Sequence, residues 1–268
     1  YEHLIMHELV HLDFVIKARK AQVNQLFISG PTHKKDFFRG LDATVKQLKK
    51  KGISEESINK YCSGLFDGLN LQVYNTPIDL FIENFLFNEY PDLQAYQLIS
   101  LHTILQEGIK AVTDPQTVEL SPVDILSKSK IYNMILAFQF RELFGIDLLN
   151  EYQATKAEKE LALKFYEEYL QYKNDKEPGE EYELVQHWAE DLKLDKYFEL
   201  EGEIQYRRRG NIDEFFDALE KDPCGLSERD PHKEREMKKF LESQGDLELN
   251  MAVVIYMVDA LQYLENKQ

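Results

Sequence analysis

His7, Glu8 and His11 stand in the order His-Glu-Leu-Val-His, and that spacing carries chemistry. On a helix, histidines at i and i+4 project from one face, close enough for both imidazoles to bind one Zn²⁺. Glu8 points to an adjacent sector, where its carboxylate can take a proton from a zinc-bound water. The metal lowers the pKa of that water toward about 7, which makes it reactive at neutral pH. The motif lies in LIMHELVHLDFVI, residues 4–16, whose polar exceptions are His7, Glu8, His11 and Asp13. The apolar residues run nearly all the way round a helical projection, which predicts a helix buried on most sides. In that setting unpaired imidazoles and a carboxylate are costly, and a metal removes much of the cost. His3 extends the ladder one turn back, but only the His7/His11 pair has a glutamate in register.

A catalytic zinc site takes three protein ligands. His33, His102, His187 and His232 are scattered along the chain, so a carboxylate is expected as the third. The best context is PIDLFIENFLF, residues 77–87, where Asp79 and Glu83 are i,i+4 neighbours. On the helical wheel Glu83 falls between Leu86 and Phe87, flanked by apolar residues, and two carboxylates on such a helix need a cation or a donor. Glu83 is therefore expected as the third ligand. Asp79 is expected as the acceptor for the free N–H of a zinc-bound histidine. Glu89 is the rival ligand, placed at the helix end where solvent reaches it. The plain alternative is that Asp79 and Glu83 are ordinary helix charges, since an acid in a first helical turn is favoured by the dipole. A transition-state stabiliser near the metal has four candidates in Tyr74, Tyr90, Tyr96 and His102, and nothing in the sequence selects among them.

His7, Glu8 and His11 with a downstream helical Glu83 resemble the gluzincin group of zinc metallopeptidases. The resemblance implies that His7, His11 and Glu83 bind zinc and that Glu8 is the general base in peptide-bond hydrolysis. It covers the first 90 residues and is specific only in the five-residue motif. The sequence departs from the group in two ways. The separation of His11 from Glu83 is long, and Asp79 precedes Glu83, reversing the group's usual order. The group also places a β-sheet before the motif helix, with an edge strand that binds the substrate backbone. Here that sheet is expected upstream of Tyr1, in residues that precede this segment.

The elements that must hold these residues read as helices. Gly (12) and Pro (8) are sparse in the 268 residues, as in mostly helical chains. Thr32 reads as the N-cap of a helix ending near Lys51, and Ser54 as the cap of a shorter one ending near Gly68. Thr76-Pro77 reads as a new start, with the helix running to about Tyr90. Further helices are expected over about 93–112 and from Ser121-Pro122 to Gly145. Strand signals are nearly absent; Leu71 to Tyr74 is the best short candidate. From about residue 150 the chain becomes strongly amphipathic and charged, with helical patterns over 154–175, 180–193, 211–221, 231–244 and 247–266. Residues 175–180 read as a linker. The expected fold is mainly α. A metallopeptidase-like helical domain, 1–150, precedes a helical C-terminal region, 151–268, that forms a bundle or helical repeat.

Composition narrows the classes. The formal charge of −16 argues against nucleic-acid binding, which needs a basic surface. No apolar run approaches the length that spans a bilayer. Cys62 and Cys224 are the only cysteines, too few for a disulfide framework and consistent with reduced thiols in a cytoplasmic protein. Arg207-Arg208-Arg209 reads as a solvated turn, and Lys49-Lys50-Lys51 as cations that the dipole favours in a last helical turn. The expected partner is a peptide or protein substrate. The C-terminal helices offer a groove for a protein partner. An interaction module with a structural or vestigial metal site and no turnover is the alternative function.

Overall fold

A computed structural model describes residues 2–209. The described residues contain ten α-helices, two short 3-10 helices and a two-stranded sheet, in keeping with the mainly α expectation. The motif helix α1 spans Glu2–Lys20, with Glu2 in its first turn and Lys17, Arg19 and Lys20 in its last, charges that suit the helix dipole. Strand β1 follows at Gln25–Ile28, then α2 at Pro31–Gly40 and α3 at Asp42–Lys50. The helix expected to run from Thr32 to Lys51 is thus broken at Leu41, and it begins with Pro31 at its first position.

The central element is α4, Glu55–Glu89, a helix of 35 residues. Ser54 caps it as expected, its hydroxyl accepting from the Ser57 N–H at 3.2 Å. Pro77 does not start a new helix; it lies inside this one. A proline in a helix interior costs about 3 kcal/mol. The neighbouring sequence outweighs that cost by burial: Val73, Ile78, Leu80, Phe81, Ile82 and Leu86 are all at most 4% exposed. The strand expected at Leu71 to Tyr74 is instead part of the same helix, in which Val73 is buried, Leu71 is exposed and Tyr74 packs on Phe27 of β1.

Helices α5 (Gln94–Thr113), α6 (Pro115–Leu120) and α7 (Val123–Phe144) come next. The left-handed Gly145, at φ 72°, closes α7. Helix α8 (Lys156–Tyr172) opens with a reciprocal cap between Thr155 and Glu158, and α9 spans Glu181–Asp191. Helix α4 touches α1, α7 and α9, while α7 also touches α5 and α8. Trp188 on α9 is fully buried and stacks on Phe165 of α8 at 5.2 Å. Strand β2, Glu199–Gly202, pairs antiparallel with β1, and α10 follows at Glu203–Arg209. This pairing was not visible in the sequence, because each strand has only four residues. Arg207 bonds back to Glu203 within α10, so this part of the arginine run lies on a helix rather than in a turn.

Tyr1–Arg207 is one compact unit and Arg208–Gln268 another. The expected division near residue 150 falls inside the first unit, where α8 packs on α7 and α9 on α4. The helical patterns read at 211–221, 231–244 and 247–266, and Cys224, lie outside the described residues. No described helix is long and apolar enough to cross a membrane.

One expectation for α1 is corrected. The helix is not buried on most sides. His3, Val10 and Ala18 face inward, whereas Ile5, Leu9, Leu12 and Ile16 are 39 to 60% exposed. Its second apolar face therefore meets solvent among the described residues.

Candidate metal centre

Helices α1 and α4 run antiparallel, and their polar residues interlock. The α1 ladder of His3, His7 and His11 recurs every fourth residue, and α4 supplies Asp79 and Glu83 at the same interval, so each set lies along one helix face. Each carboxylate settles between two successive histidines. Glu83 accepts from His3 Nε2 at 2.9 Å and from His7 Nδ1 at 2.8 Å. Asp79 Oδ1 accepts from His11 Nε2 at 3.1 Å and lies 3.4 Å from His7 Nε2. His7 is the hinge of the arrangement, with one ring nitrogen toward each carboxylate.

Helix α5 closes the inner end. The Gln97 amide donates to Glu83 Oε2 at 2.5 Å and to the Glu83 carbonyl at 2.9 Å. His3, Glu83 and Gln97 are almost wholly buried, and His3 Nδ1 and Gln97 Oε1 have no hydrogen-bond partner. The outer end is open: the side chains of His7, His11 and Asp79 are 15%, 25% and 23% exposed. Glu8 is exposed.

The electrostatics follow from this pairing. Burial disfavours a charged His7, but hydrogen bonds to Asp79 and Glu83 outweigh it and push its pKa up to about 10. Burial likewise opposes ionisation of Glu83, yet the donors on His3, His7 and Gln97 hold its pKa down to about 2. Without a metal, the cluster is a protonated His7 held between two carboxylates.

The donor set suits a transition metal. Two groups bring three ligand atoms within 4.8 Å of one another: His7, His11 and Asp79, and His3, His7 and Glu83. Imidazole and carboxylate are ordinary zinc ligands, and three protein donors leave a position for water. The structure thus brings together the motif histidines and both carboxylates singled out in the sequence, but in a different grouping. Asp79, expected as an outer acceptor, completes the group that holds the motif pair. Glu83, expected as third ligand, meets His7 and His3 while His11 bonds to Asp79. Glu89 is exposed at the end of α4, and no described metal-binding group includes it.

Three of the four stabiliser candidates pack against other aromatic rings. Tyr74 packs on Phe27 at 5.1 Å, Tyr90 on Phe85 at 6.0 Å, and His102 near Phe140 at 6.2 Å. Tyr96 is half exposed on α5. Sequence reasoning passed over Gln97 and gave His3 little weight. Gln97 had a signal: it heads the stripe Leu101, Leu105 and Ile109 at fourfold spacing, where a polar side chain needs a partner. Cys62 is buried, and burial pushes its thiol pKa up, which makes it a packing residue rather than a reactive one.

No family model matches the chain, and neither a curated protein nor a solved structure does.

Proposed function

We propose that this chain is a zinc-dependent, gluzincin-like peptidase in which His7, His11 and Asp79 hold the metal at the solvent-accessible end of the cluster. The supporting observation is that the motif histidines meet a carboxylate where water can enter, with the motif glutamate on the open side of the same helix. A bound zinc would supply Lewis-acid polarisation of a carbonyl and of a water molecule.

The remaining work falls to this chain's own residues. Glu83 accepts the His7 Nδ1–H at 2.8 Å, which fixes the tautomer and leaves Nε2 free for the metal. His3 and Gln97 hold Glu83 in place from the buried side. Glu8, next to His7 and exposed, takes the proton from the attacking water and passes it to the leaving amine.

The test has two measurements. Purified protein retains stoichiometric zinc, and Glu8→Gln keeps that zinc while losing cleavage of an unfolded protein substrate. Absence of zinc overturns the metal reading. Undiminished cleavage by the Glu8→Gln variant overturns the role of Glu8.

A second reading is an interaction protein that holds the metal without turnover. The exposed face of α1 favours it. Ile5, Leu9, Leu12 and Ile16 recur at spacings of four, three and four, the seam that another helix packs against. Zinc retained with no cleavage of any unfolded protein or peptide in a broad library selects this reading.

A further inference from the structure

The proposed zinc site uses one of the two groups of donors, and the second is equally well formed. It consists of His3 Nε2, His7 Nδ1 and a Glu83 oxygen. His3 and Glu83 are each 2% exposed. Two features mark this inner group as more than a packed hydrogen-bond cluster. Gln97 is fully buried, is aimed at Glu83, and has its own carbonyl oxygen unpartnered, a state that proteins seldom leave without a reason. His7 presents different ring nitrogens to the two groups, Nδ1 inward to Glu83 and Nε2 outward to Asp79.

We propose that the cluster is a dinuclear centre, in which His3, His7 and Glu83 bind a second divalent transition-metal ion and the His7 ring bridges it to the ion on His7, His11 and Asp79. The inference rests on the outer site proposed above.

The proton balance is explicit. With only the outer ion bound, the His7 Nδ1 proton occupies the space between the ring and Glu83. The inner ion replaces that proton, which leaves to solvent, and His7 becomes an imidazolate that donates a lone pair from each nitrogen. His3 donates from Nε2, so the proton that Nε2 gives to Glu83 in the metal-free cluster is lost from that atom and the ring takes the tautomer protonated on Nδ1. Charge favours the exchange. Glu83 and the shared imidazolate bring negative charge to a divalent ion in a buried place, where an uncompensated ion would be costly. Imidazole nitrogens with a carboxylate suit zinc, copper, cobalt and nickel.

The full chain, stripped with a chelator and reloaded with Zn²⁺, is passed through gel filtration and its metal counted by elemental analysis. Two ions per chain are expected, falling to one in His3→Gln, whose amide still reaches Glu83. One ion in the unaltered chain overturns the dinuclear centre and leaves the outer site standing; none overturns the outer site as well. Loading with Cu²⁺ tests the bridge. An imidazolate between two copper ions couples their spins, so the electron paramagnetic resonance intensity falls well below that of two isolated ions. Two retained copper ions with full intensity overturn the bridging role of His7. An unchanged count in His3→Gln overturns the assignment of His3.

Discussion

At the scale of single residues, the division of labour between Asp79 and Glu83 is the sharpest claim. A residue that ligates a metal and one that orients a ligand differ in what their loss costs. Asp79→Ala removes a donor from the outer group and is expected to abolish stoichiometric zinc at that site. Glu83→Gln keeps a carbonyl to accept the His7 N–H, and it is expected to weaken zinc binding by about 10- to 100-fold, the usual effect of losing such support. Competition against a chelating dye measures both. The opposite ranking would restore Glu83 as the motif pair's own ligand. Glu83 also carries a structural burden. It is the buried partner of His3, His7 and Gln97, and removing one member of a buried charged pair costs roughly 3–5 kcal/mol. Metal-free Glu83→Ala should therefore unfold at much lower urea than the unaltered protein, whereas metal-free Asp79→Ala, whose carboxylate is partly solvated, should lose less. Which residues belong to the cluster was largely legible in the sequence: a histidine ladder and a carboxylate ladder, both at helical spacing, must face each other if the helices pack. Which carboxylate meets which histidine was not. That depends on how far one helix slides along the other, and a shift of one turn exchanges Asp79 for Glu83.

At the scale of elements, α1 separates what composition suggests from what packing does. Its apolar residues surround the helix, yet only one side is covered among the described residues. Periodicity cannot distinguish a helix buried all round from one with two apolar faces and a single neighbour, because both fill the wheel. The energetic consequence is testable. Val10 is 4% exposed and Leu9 is 51% exposed, although they are adjacent and both aliphatic. Val10→Ala should lower stability by about 1–3 kcal/mol, whereas Leu9→Lys should change it by no more than about 0.5 kcal/mol. Chemical denaturation of the two variants at matched protein concentration checks this, and a large loss on Leu9→Lys would show that something covers that face. Helix α4 teaches the converse. Pro77 reads locally as a start signal, and the Thr76-Pro77 step does fit a helix N-terminus. Tertiary burial on both sides of it overrides the local preference, as it does wherever a helix is central enough. The cap at Ser54, which depends on a single side chain, was readable because no distant residue takes part in it.

At the scale of the whole molecule, the first compact unit is closed by contacts between its two ends, which no local pattern reveals. Phe27 on β1 stacks on Phe198 at 4.5 Å, and β1 pairs with β2 across more than 170 residues of sequence. Beside the sheet, Glu203 receives Arg19 Nε at 2.8 Å, the Asn24 amide at 2.9 Å and Arg207 Nε at 3.0 Å. This joins the end of the motif helix to α10, so the position of α1 on α4 depends on residues far beyond the motif. The pairing with Arg19, reinforced by Arg207 and Asn24, holds the Glu203 carboxyl down to about 2 from its ordinary 4.5. A carboxylate whose pKa is lower in the folded state stabilises the fold above its unfolded value, and that contribution fades as pH falls through the folded value. Glu203→Gln should therefore destabilise the unit by a constant amount from neutral pH down to about 5. The gap between variant and unaltered protein should then narrow steadily as pH falls toward about 2. The fluorescence of Trp188, buried against Phe165 in the same unit, follows unfolding at each pH. A gap that stays the same at low pH would mean that Glu203 acts by packing alone, and that the charge does not hold the two ends together.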